Sequence, residues 1–155
     1  MASLLAALAG VTNASQPLPD LLTSGQPGPE HLKALKAAGT EVVLDIRDPM
    51  EPRPFDEPEL VRELGMRYVN VSVRQGALDD ATMDAVLAEV RRSAGHPLLF
   101  HCASANRVGG ALIPYFILDQ GMSEDDAVDA AMRIGLRGAD LLEWGLDYAR
   151  RKTGG

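Results

Sequence analysis

The chain has 155 residues, of which 46% are apolar and 24% are charged, and its net charge is −7. This composition indicates one soluble domain that is long enough to bury a hydrophobic core. The acidic balance argues against nucleic acid and anionic membranes as partners, because both bind to basic surfaces. The single cysteine excludes an intrachain disulfide, and the three histidines lack metal-ligand spacing. We therefore expect a cytoplasmic protein without a metal or another cofactor.

The N-terminal region begins with an apolar run, Leu4–Leu8, which is too short to span a bilayer and has no Lys or Arg before it. We interpret residues 1–19 as a docking segment, or as the remainder of a trimmed leader, and residues 20–152 as the main domain. A first helix is expected from Pro29 to Gly39, since proline favours the first helical position and glycine the position after the end.

Strand and helix patterns then alternate along the chain. Glu41–Ile46 is a short apolar run, which is typical of a buried strand. Residues 49–58 contain four prolines and are predicted to form a loop before a brief helix over Glu59–Leu64. Tyr68–Val73 alternates apolar and polar residues, which indicates a half-exposed strand. The remaining predicted elements are a helix after Asp79 or Asp80, a strand over Leu98–Phe100, a helix from Arg107 to Asp119 that Pro114 should kink, a helix after Ser123 and a last helix over Ala139–Arg151.

This alternation predicts a single three-layer α/β domain, with a short and mostly parallel central sheet flanked by helices. Ligands bind beyond the carboxyl ends of the strands in such sheets, and Cys102 lies at that position, between a strand and a helix. A loop there points its N–H groups into one concavity, and the helix adds positive potential. We expect the anion-binding groups to belong to Ala103, Ser104, Ala105, Asn106, Arg107 and Val108.

The same loop carries side chains suited to nucleophilic chemistry. A thiol at the start of a helix is favoured as the thiolate, which makes Cys102 the candidate nucleophile. The guanidinium of Arg107 can hold two oxygens of an anion. Together these groups could attack a phosphoryl or a sulfane-sulfur centre. His101, directly before the cysteine, is expected to orient the loop through hydrogen bonds.

At these residues the sequence resembles a known superfamily. His101-Cys102, followed by a loop that ends at Arg107, is similar to the active-site motif of the protein tyrosine and dual-specificity phosphatases. Two further segments, Ser24–Pro27 and Val42–Arg47, are similar to a bacterial branch, the beta-lactamase-hydrolase-like phosphatase-like domains. The resemblance covers about residues 20–150. It implies a dual-specificity-phosphatase-like fold and hydrolysis of phosphomonoesters through a phosphocysteine intermediate, with a small phosphorylated molecule or a phosphoprotein as substrate.

The loop departs from the phosphatase motif in its length and in the residue after the arginine. Four residues separate Cys102 from Arg107, one fewer than in the phosphatases. This is the spacing of rhodanese-type sulfurtransferases, so a sulfur-containing substrate carried as a Cys102 persulfide is an alternative. Val108 replaces the Ser or Thr whose hydroxyl assists thiolate departure, which leaves a catalytically inactive anion-binding module as a third hypothesis. The loop has no glycine, so a residue with positive φ must be Asn106 or another non-glycine residue.

A phosphatase also needs an acid that protonates the leaving oxygen. The resemblance implies an aspartate ahead of the helix that precedes the cysteine strand, which corresponds to Asp79 or Asp80. Helix capping is the alternative role for both. Lower-ranked candidates for the acid are Asp45 and Asp48, at the same edge of the sheet. Three arginines are further candidates: Arg47 and Arg74 could line the mouth of the site and attract an anion, and Arg137 could lie near it.

Overall fold

The computed structural model describes residues 3–154, which form a five-stranded sheet, six α-helices and two short 3-10 turns. The strands are β1 (Ser15–Leu18), β2 (Leu21–Ser24), β3 (Val42–Asp45), β4 (Arg67–Asn70) and β5 (Leu98–His101). The helices are α1 (Pro29–Ala38), α2 (Glu57–Glu63), α3 (Asp80–Arg92), α4 (Asn106–Leu118), α5 (Glu124–Ile134) and α6 (Ala139–Thr153). The 3-10 turns span Leu5–Leu8 and Gln75–Ala77. No helix in this part of the chain is both long and apolar enough to cross a membrane.

The sheet has the order β1-β2-β5-β3-β4, and only β1 runs antiparallel to its neighbour. This confirms the predicted α/β class with a mostly parallel sheet. The central strand is β5, whose last residue, His101, is paired with Ser24 of β2 and with Asp45 of β3. The carboxyl ends of three strands therefore meet directly before Cys102.

Two hydrophobic cores lie on the two faces of the sheet. Leu44 and Phe100 point into one core with side chains of α3, α4, α5 and α6. Val43 and Leu99 point to the opposite face, where they pack against α1, α2 and the N-terminal 3-10 turn. Successive residues of a strand point to opposite faces, so fully buried strands need helices on both sides. The result is the predicted three-layer domain.

Helix α4, which follows the cysteine loop, is the most deeply buried helix of the larger core. A Cβ at Gly109 would lie 2.8 Å from the carbonyl oxygen of Ala131 in α5, and one at Gly110 would lie 2.9 Å from that of Leu141 in α6. The two glycines therefore let α4 pack backbone to backbone against its neighbours. This packing fixes the start of α4, and hence Arg107, relative to the sheet.

The N-terminal strands are the main structural feature that the sequence did not predict. β1 contains Pro17, which is tolerated there because β1 is an edge strand. Its four residues show no alternation, since all are partly buried. The chain before residue 20 thus supplies a strand, and it supplies Leu8 to the smaller core. Elsewhere the differences are small: α2 begins at Glu57, because Asp56 caps it, and β4 ends at Asn70.

Candidate active site

The loop from Cys102 to Arg107 joins β5 to α4. The Cys102 side chain is buried, and the backbone N–H of Ala105 donates a hydrogen bond to its Sγ at 3.1 Å. Ala105 has a φ of 73° and immediately precedes α4. The positive-φ position is therefore Ala105, whereas Asn106 is the first residue of the helix. A left-handed alanine is unfavourable by itself, so surrounding contacts must hold the loop in this shape.

Contacts from outside the loop hold its carbonyl groups away from the thiol. The backbone N–H of Gln26 donates to the Ala103 carbonyl at 3.0 Å, and the Asn13 side chain donates to the Ser104 carbonyl at 2.8 Å. In a trans peptide the C=O and the following N–H point in opposite directions. The Ala105 N–H therefore points to the side on which Sγ lies, and the Ser104 N–H points away from Gln26.

The start of α4 is anchored by the side chain of Asn106. Its Oδ1 accepts hydrogen bonds from the N–H groups of Arg137 at 2.7 Å and Gly138 at 3.0 Å. The Arg137 guanidinium donates to the carbonyls of Met132 and Leu136. Arg137 thus takes part through its backbone, and its charged group binds the end of α5.

Arg107 is held by an acidic residue that the sequence analysis did not single out. Its Nη1 and Nη2 donate to Glu51 at 2.7 and 3.0 Å, and Nη1 also donates to the Val73 carbonyl at 3.3 Å. Burial opposes the charge of Arg107, but the bonds to Glu51 and the neighbouring Cys102 raise its pKa. The hydrogen bonds from Arg107 hold the pKa of Glu51 at about 2. Both groups are therefore charged at neutral pH.

This arrangement leaves one edge of the Arg107 guanidinium available. A guanidinium has five N–H groups, and three of them bind Glu51 and Val73. The Nε–H and the second Nη2–H donate to no protein oxygen or nitrogen among residues 3–154. These two donors are parallel and match two oxygens of a phosphate. Glu51 therefore orients the arginine by one edge, and the other edge, with Cys102 nearby, is the one that we propose for anion binding.

His101 is fully buried, and both of its ring nitrogens face acceptors. Nδ1 lies 3.1 Å from the Cys102 carbonyl oxygen, and Nε2 contacts the buried carboxylate of Glu57. Both nitrogens can donate only when the ring is protonated. Burial opposes that charge, but the hydrogen bond to Glu57 and the charges of Glu57 and Asp45 raise the pKa of His101. A positive ring next to Cys102 favours the thiolate.

Asp45 belongs to the same buried cluster. Its carboxylate accepts hydrogen bonds from the Arg47 N–H at 2.9 Å, from Tyr68 Oη at 2.7 Å and from Arg53 at 3.0 Å. Side-chain ligand atoms of Asp45, Glu57 and His101 lie within 4.8 Å of one another, a grouping that could hold a metal ion. Since protein partners already bind these carboxylates, we interpret the cluster as a hydrogen-bonded network.

The other residues near the mouth form ion pairs. Asp48 pairs with Arg74 and accepts a hydrogen bond from the Met50 N–H at 3.0 Å. That backbone bond and the neighbouring Arg74 lower the pKa of Asp48. Arg47, which is almost completely buried, contacts Gln26, Glu51 and the Pro52 carbonyl. Arg47 is therefore part of the wall of the site and is bound on several sides.

The two aspartates predicted as general acids lie at the start of α3. Asp79 caps this helix by accepting from the Thr82 N–H at 2.8 Å, and its bonds with Thr82 lower its pKa. Asp80 forms a salt bridge with Arg151 of α6. Neither carboxylate hydrogen-bonds to the Cys102–Arg107 loop within the described chain. Because its pKa is lowered, less of the Asp79 side chain carries the proton that a general acid must donate.

Four residues that support the loop were missed by the sequence analysis: Asn13, Gln26, Glu51 and Glu57. Glu51 and Glu57 lie in the proline-rich stretch, where no periodicity distinguishes one acidic residue from another. Gln26 belongs to a segment that carried the resemblance, but no motif indicated its contacts. Only the three-dimensional packing brings these residues to the cysteine.

No protein-family model matches the sequence, and no curated protein matches it either. Solved structures do match. A DUF442 protein from Shewanella putrefaciens CN-32, described as a phosphatase, has a TM-score of 0.81 and 23% identity over 95% of this chain and 97% of its own. TpbA of P. aeruginosa has a TM-score of 0.71 and 21% identity over 90% of this chain and 84% of its own.

The catalytic core of the S. cerevisiae PP-IP phosphatase Siw14 has a TM-score of 0.74 and 19% identity, over 93% of this chain and 92% of its own. Likeness at these identities establishes the fold. The chain therefore has the fold of the cysteine-dependent protein tyrosine and dual-specificity phosphatases, as the resemblance predicted. The four residues between Cys102 and Arg107, and Val108 after the arginine, depart from the phosphatase motif described above.

Proposed function

We propose that this protein is a cysteine-dependent phosphatase that hydrolyses phosphomonoesters through a phosphocysteine intermediate. The observation that carries the proposal is the pairing of two groups in a phosphatase fold. The Cys102 Sγ accepts a hydrogen bond from a loop N–H, and Arg107 presents two N–H donors on the same loop. A buried His101 that faces two acceptors adds positive charge beside the thiol.

In the first step of the proposed reaction, the Cys102 thiolate attacks phosphorus. A new S–P bond forms, the P–O bond to the leaving group breaks, and the leaving oxygen takes a proton from an acid. The Ala105 N–H bonds Sγ, and other N–H groups of the loop, together with Arg107, stabilise the non-bridging oxygens. In the second step water attacks phosphorus and gives a proton to the carboxylate that acted as the acid, the S–P bond breaks, and inorganic phosphate and the thiolate are released. Because Val108 has no hydroxyl, thiolate departure proceeds without that assistance.

The proton donor in this proposal is Asp79 or Asp80. Either carboxylate would have to exchange its present contact with Thr82 or Arg151 for one with the substrate. Asp48 and Asp45 are the lower-ranked candidates. Activated aryl phosphates need little protonation of the leaving oxygen, so we expect them to be better substrates than alkyl phosphates.

The proposed substrate class is a small phosphorylated molecule or a phosphoprotein. TpbA has been solved in complex with pTyr, and Siw14 is a PP-IP phosphatase, which supports a phosphoryl group as the recognised element. We propose the cytoplasm as the location, since a reactive thiol stays reduced there.

A sulfurtransferase is the second candidate, and the four-residue loop favours it. In that reaction the Cys102 thiolate attacks the sulfane sulfur of thiosulfate, sulfite leaves with the S–S bonding pair, and cyanide then takes the sulfur from the persulfide. A smaller ring of amides suits one sulfur atom better than three phosphoryl oxygens.

A side-by-side assay separates these functions. Wild type and Cys102→Ser are tested with an aryl phosphate and with thiosulfate plus cyanide. Phosphate release that depends on Cys102 supports the phosphatase, whereas thiocyanate formation without phosphate release supports the sulfurtransferase. If wild type binds inorganic phosphate but catalyses neither reaction, the protein is an inactive anion-binding module and both catalytic proposals are wrong.

A further inference from the structure

Gln26, in the turn between β2 and α1, contacts three separate parts of the site. Its backbone N–H donates to the Ala103 carbonyl at 3.0 Å. Its side-chain Nε2 donates to Glu57 at 2.6 Å, and its Oε1 accepts from Arg47. A carboxylate cannot donate and a guanidinium cannot accept, so the orientation of this amide is fixed by its partners.

The turn also lies against the catalytic loop. A Cβ at Gly25 would be 2.6 Å from the Ala103 carbonyl oxygen, which is closer than atoms can approach. Glycine at this position therefore allows the turn to reach the loop, and Gln26 follows it directly. Backbone contacts therefore position Gln26 independently of its side-chain bonds.

Two chains of contacts begin at the Gln26 side chain. The nucleophile arm runs from Gln26 through Glu57 and His101 to the Cys102 carbonyl. Every side chain in it after Gln26 is fully buried. Because solvent cannot replace a missing bond there, loss of one partner displaces the next.

The arginine arm runs in the other direction. Gln26 accepts from Arg47, Arg47 pairs with Glu51 at 3.4 Å, and Glu51 pairs with Arg107 at 2.7 Å. Arg47 is also held by the Pro52 carbonyl at 2.7 Å, so this arm positions the segment that carries Glu51. The two arms end at the two residues that bound the loop, Cys102 and Arg107.

We propose that Gln26 is a positioning residue that couples the two ends of the Cys102–Arg107 loop. Its amide donates to one arm and accepts from the other. It therefore holds the His101 ring beside Cys102 and, at the same time, the edge of Arg107 that is proposed to bind the anion. The inference rests on the proposed function for its kinetic consequence, but the arrangement itself is testable without catalysis.

The test compares Gln26→Met, which removes both side-chain bonds, with Gln26→Glu, which keeps an acceptor for Arg47 but cannot donate to Glu57. Gln16→Met is the matched control, since Gln16 lies on the edge strand β1 and, within residues 3–154, donates only to the carbonyl of Pro19, directly after that strand. The nucleophile arm is measured by the rate of iodoacetamide alkylation across pH, and the arginine arm by the Kd for inorganic phosphate. Melting temperatures of all variants are measured alongside.

For Gln26→Met we expect alkylation at neutral pH to slow about fivefold and the phosphate Kd to rise about fivefold, which corresponds to one lost hydrogen bond in each arm. For Gln26→Glu we expect slower alkylation, with a phosphate Kd within about twofold of wild type. If Gln26→Met matches Gln16→Met in both measurements, or if Gln26→Glu weakens phosphate binding as much as Gln26→Met does, the coupling role is wrong.

The outcome is separable from that of the proposed function. If wild type hydrolyses no phosphate ester but the variants change alkylation and phosphate binding as expected, the phosphatase proposal fails and the positioning role stands. If wild type is an active phosphatase and Gln26→Met keeps its kcat and KM together with its alkylation rate and phosphate Kd, the positioning role alone fails. A Gln26→Met that does not fold leaves Gln26→Glu to decide, because its two expected readouts differ.

Discussion

The candidate site has two parts that differ in how their side chains are held. We call the surroundings of Cys102, the proposed nucleophile, the nucleophile side, and the surroundings of Asp79 and Asp80, the proposed acids, the acid side. On the nucleophile side, Cys102 receives a loop N–H, Arg107 is oriented by Glu51, and His101 faces two acceptors. On the acid side, Asp79 caps a helix and Asp80 pairs with Arg151. The groups that we propose for covalent attack are already held in place, whereas the carboxylates that we propose for proton donation have other partners.

The fold itself positions the groups that we propose for nucleophilic attack, but it does not position the proposed acids. The Cys102–Arg107 loop is held by residues that are distant in sequence, including Asn13 and Gln26, so its geometry depends on how the domain packs. Asp79 makes only a local capping contact, and Asp80 makes an exposed ion pair with Arg151 of α6. We therefore expect attack on good leaving groups to be efficient and hydrolysis of poor leaving groups to depend on a rearrangement.

The largest expected effect tests the arginine of the nucleophile side. Arg107→Lys keeps the charge but removes the two-donor edge, so kcat/KM for an aryl phosphate should fall by about 10²- to 10³-fold. Arg137→Lys is the matched control, because its guanidinium binds carbonyls at the end of α5, and it should stay near wild type. Equal kinetics for the two variants would remove Arg107 from the proposed mechanism.

The next effect tests the acid side. Asp79→Asn and Asp80→Asn are compared on alkyl and on activated aryl phosphates. The variant that removes the true acid should lose about 10²-fold or more with alkyl esters and less with aryl esters. Asparagine caps helices as well as aspartate does, so Asp79→Asn keeps the start of α3 intact. If both variants hydrolyse alkyl esters like wild type, neither residue is the acid, and Asp48 and Asp45 should be tested next.

A smaller effect is expected from the length of the loop. Inserting a glycine between Ala105 and Asn106 restores the phosphatase spacing and offers a residue that adopts positive φ without strain. We expect the ratio of phosphatase to thiosulfate-transfer activity to rise severalfold. An efficient wild-type phosphatase that the insertion inactivates would show that loop length does not decide between phosphorus and sulfur at this site.

The smallest effect concerns stability and pH. Burial opposes protonation of His101, but the contact with Glu57 raises the pKa of the ring above its ordinary value of 6.5 in the folded protein. The protonated ring therefore contributes its full stability below pH 6.5, and this is lost as pH rises through the raised pKa. Urea unfolding of wild type should show that loss, and Glu57→Gln should flatten it. A wild-type stability that rises over this range would contradict a protonated His101.

The central strands and the position of the Cys102–Arg107 loop could be predicted from the sequence, because both depend on local patterns. The apolar runs before Asp45 and His101 predicted parallel strands, and the position of Cys102 after one of them predicted the loop. The supporting residues could not be predicted, because Asn13, Gln26 and Glu51 are distant in sequence and their partners are set by packing. The strand β1 was missed because proline and partial burial removed its pattern.

The most direct test of the central claim is to trap the covalent intermediate. Wild type is mixed with an activated aryl phosphate, quenched in acid within the first turnover, and analysed by intact mass and peptide mapping. The proposed mechanism predicts one phosphoryl group on the peptide that contains Cys102, and none in Cys102→Ser. Phosphate release without a Cys102 adduct, at the same rate in Cys102→Ser, would contradict the claim that this cysteine is the nucleophile.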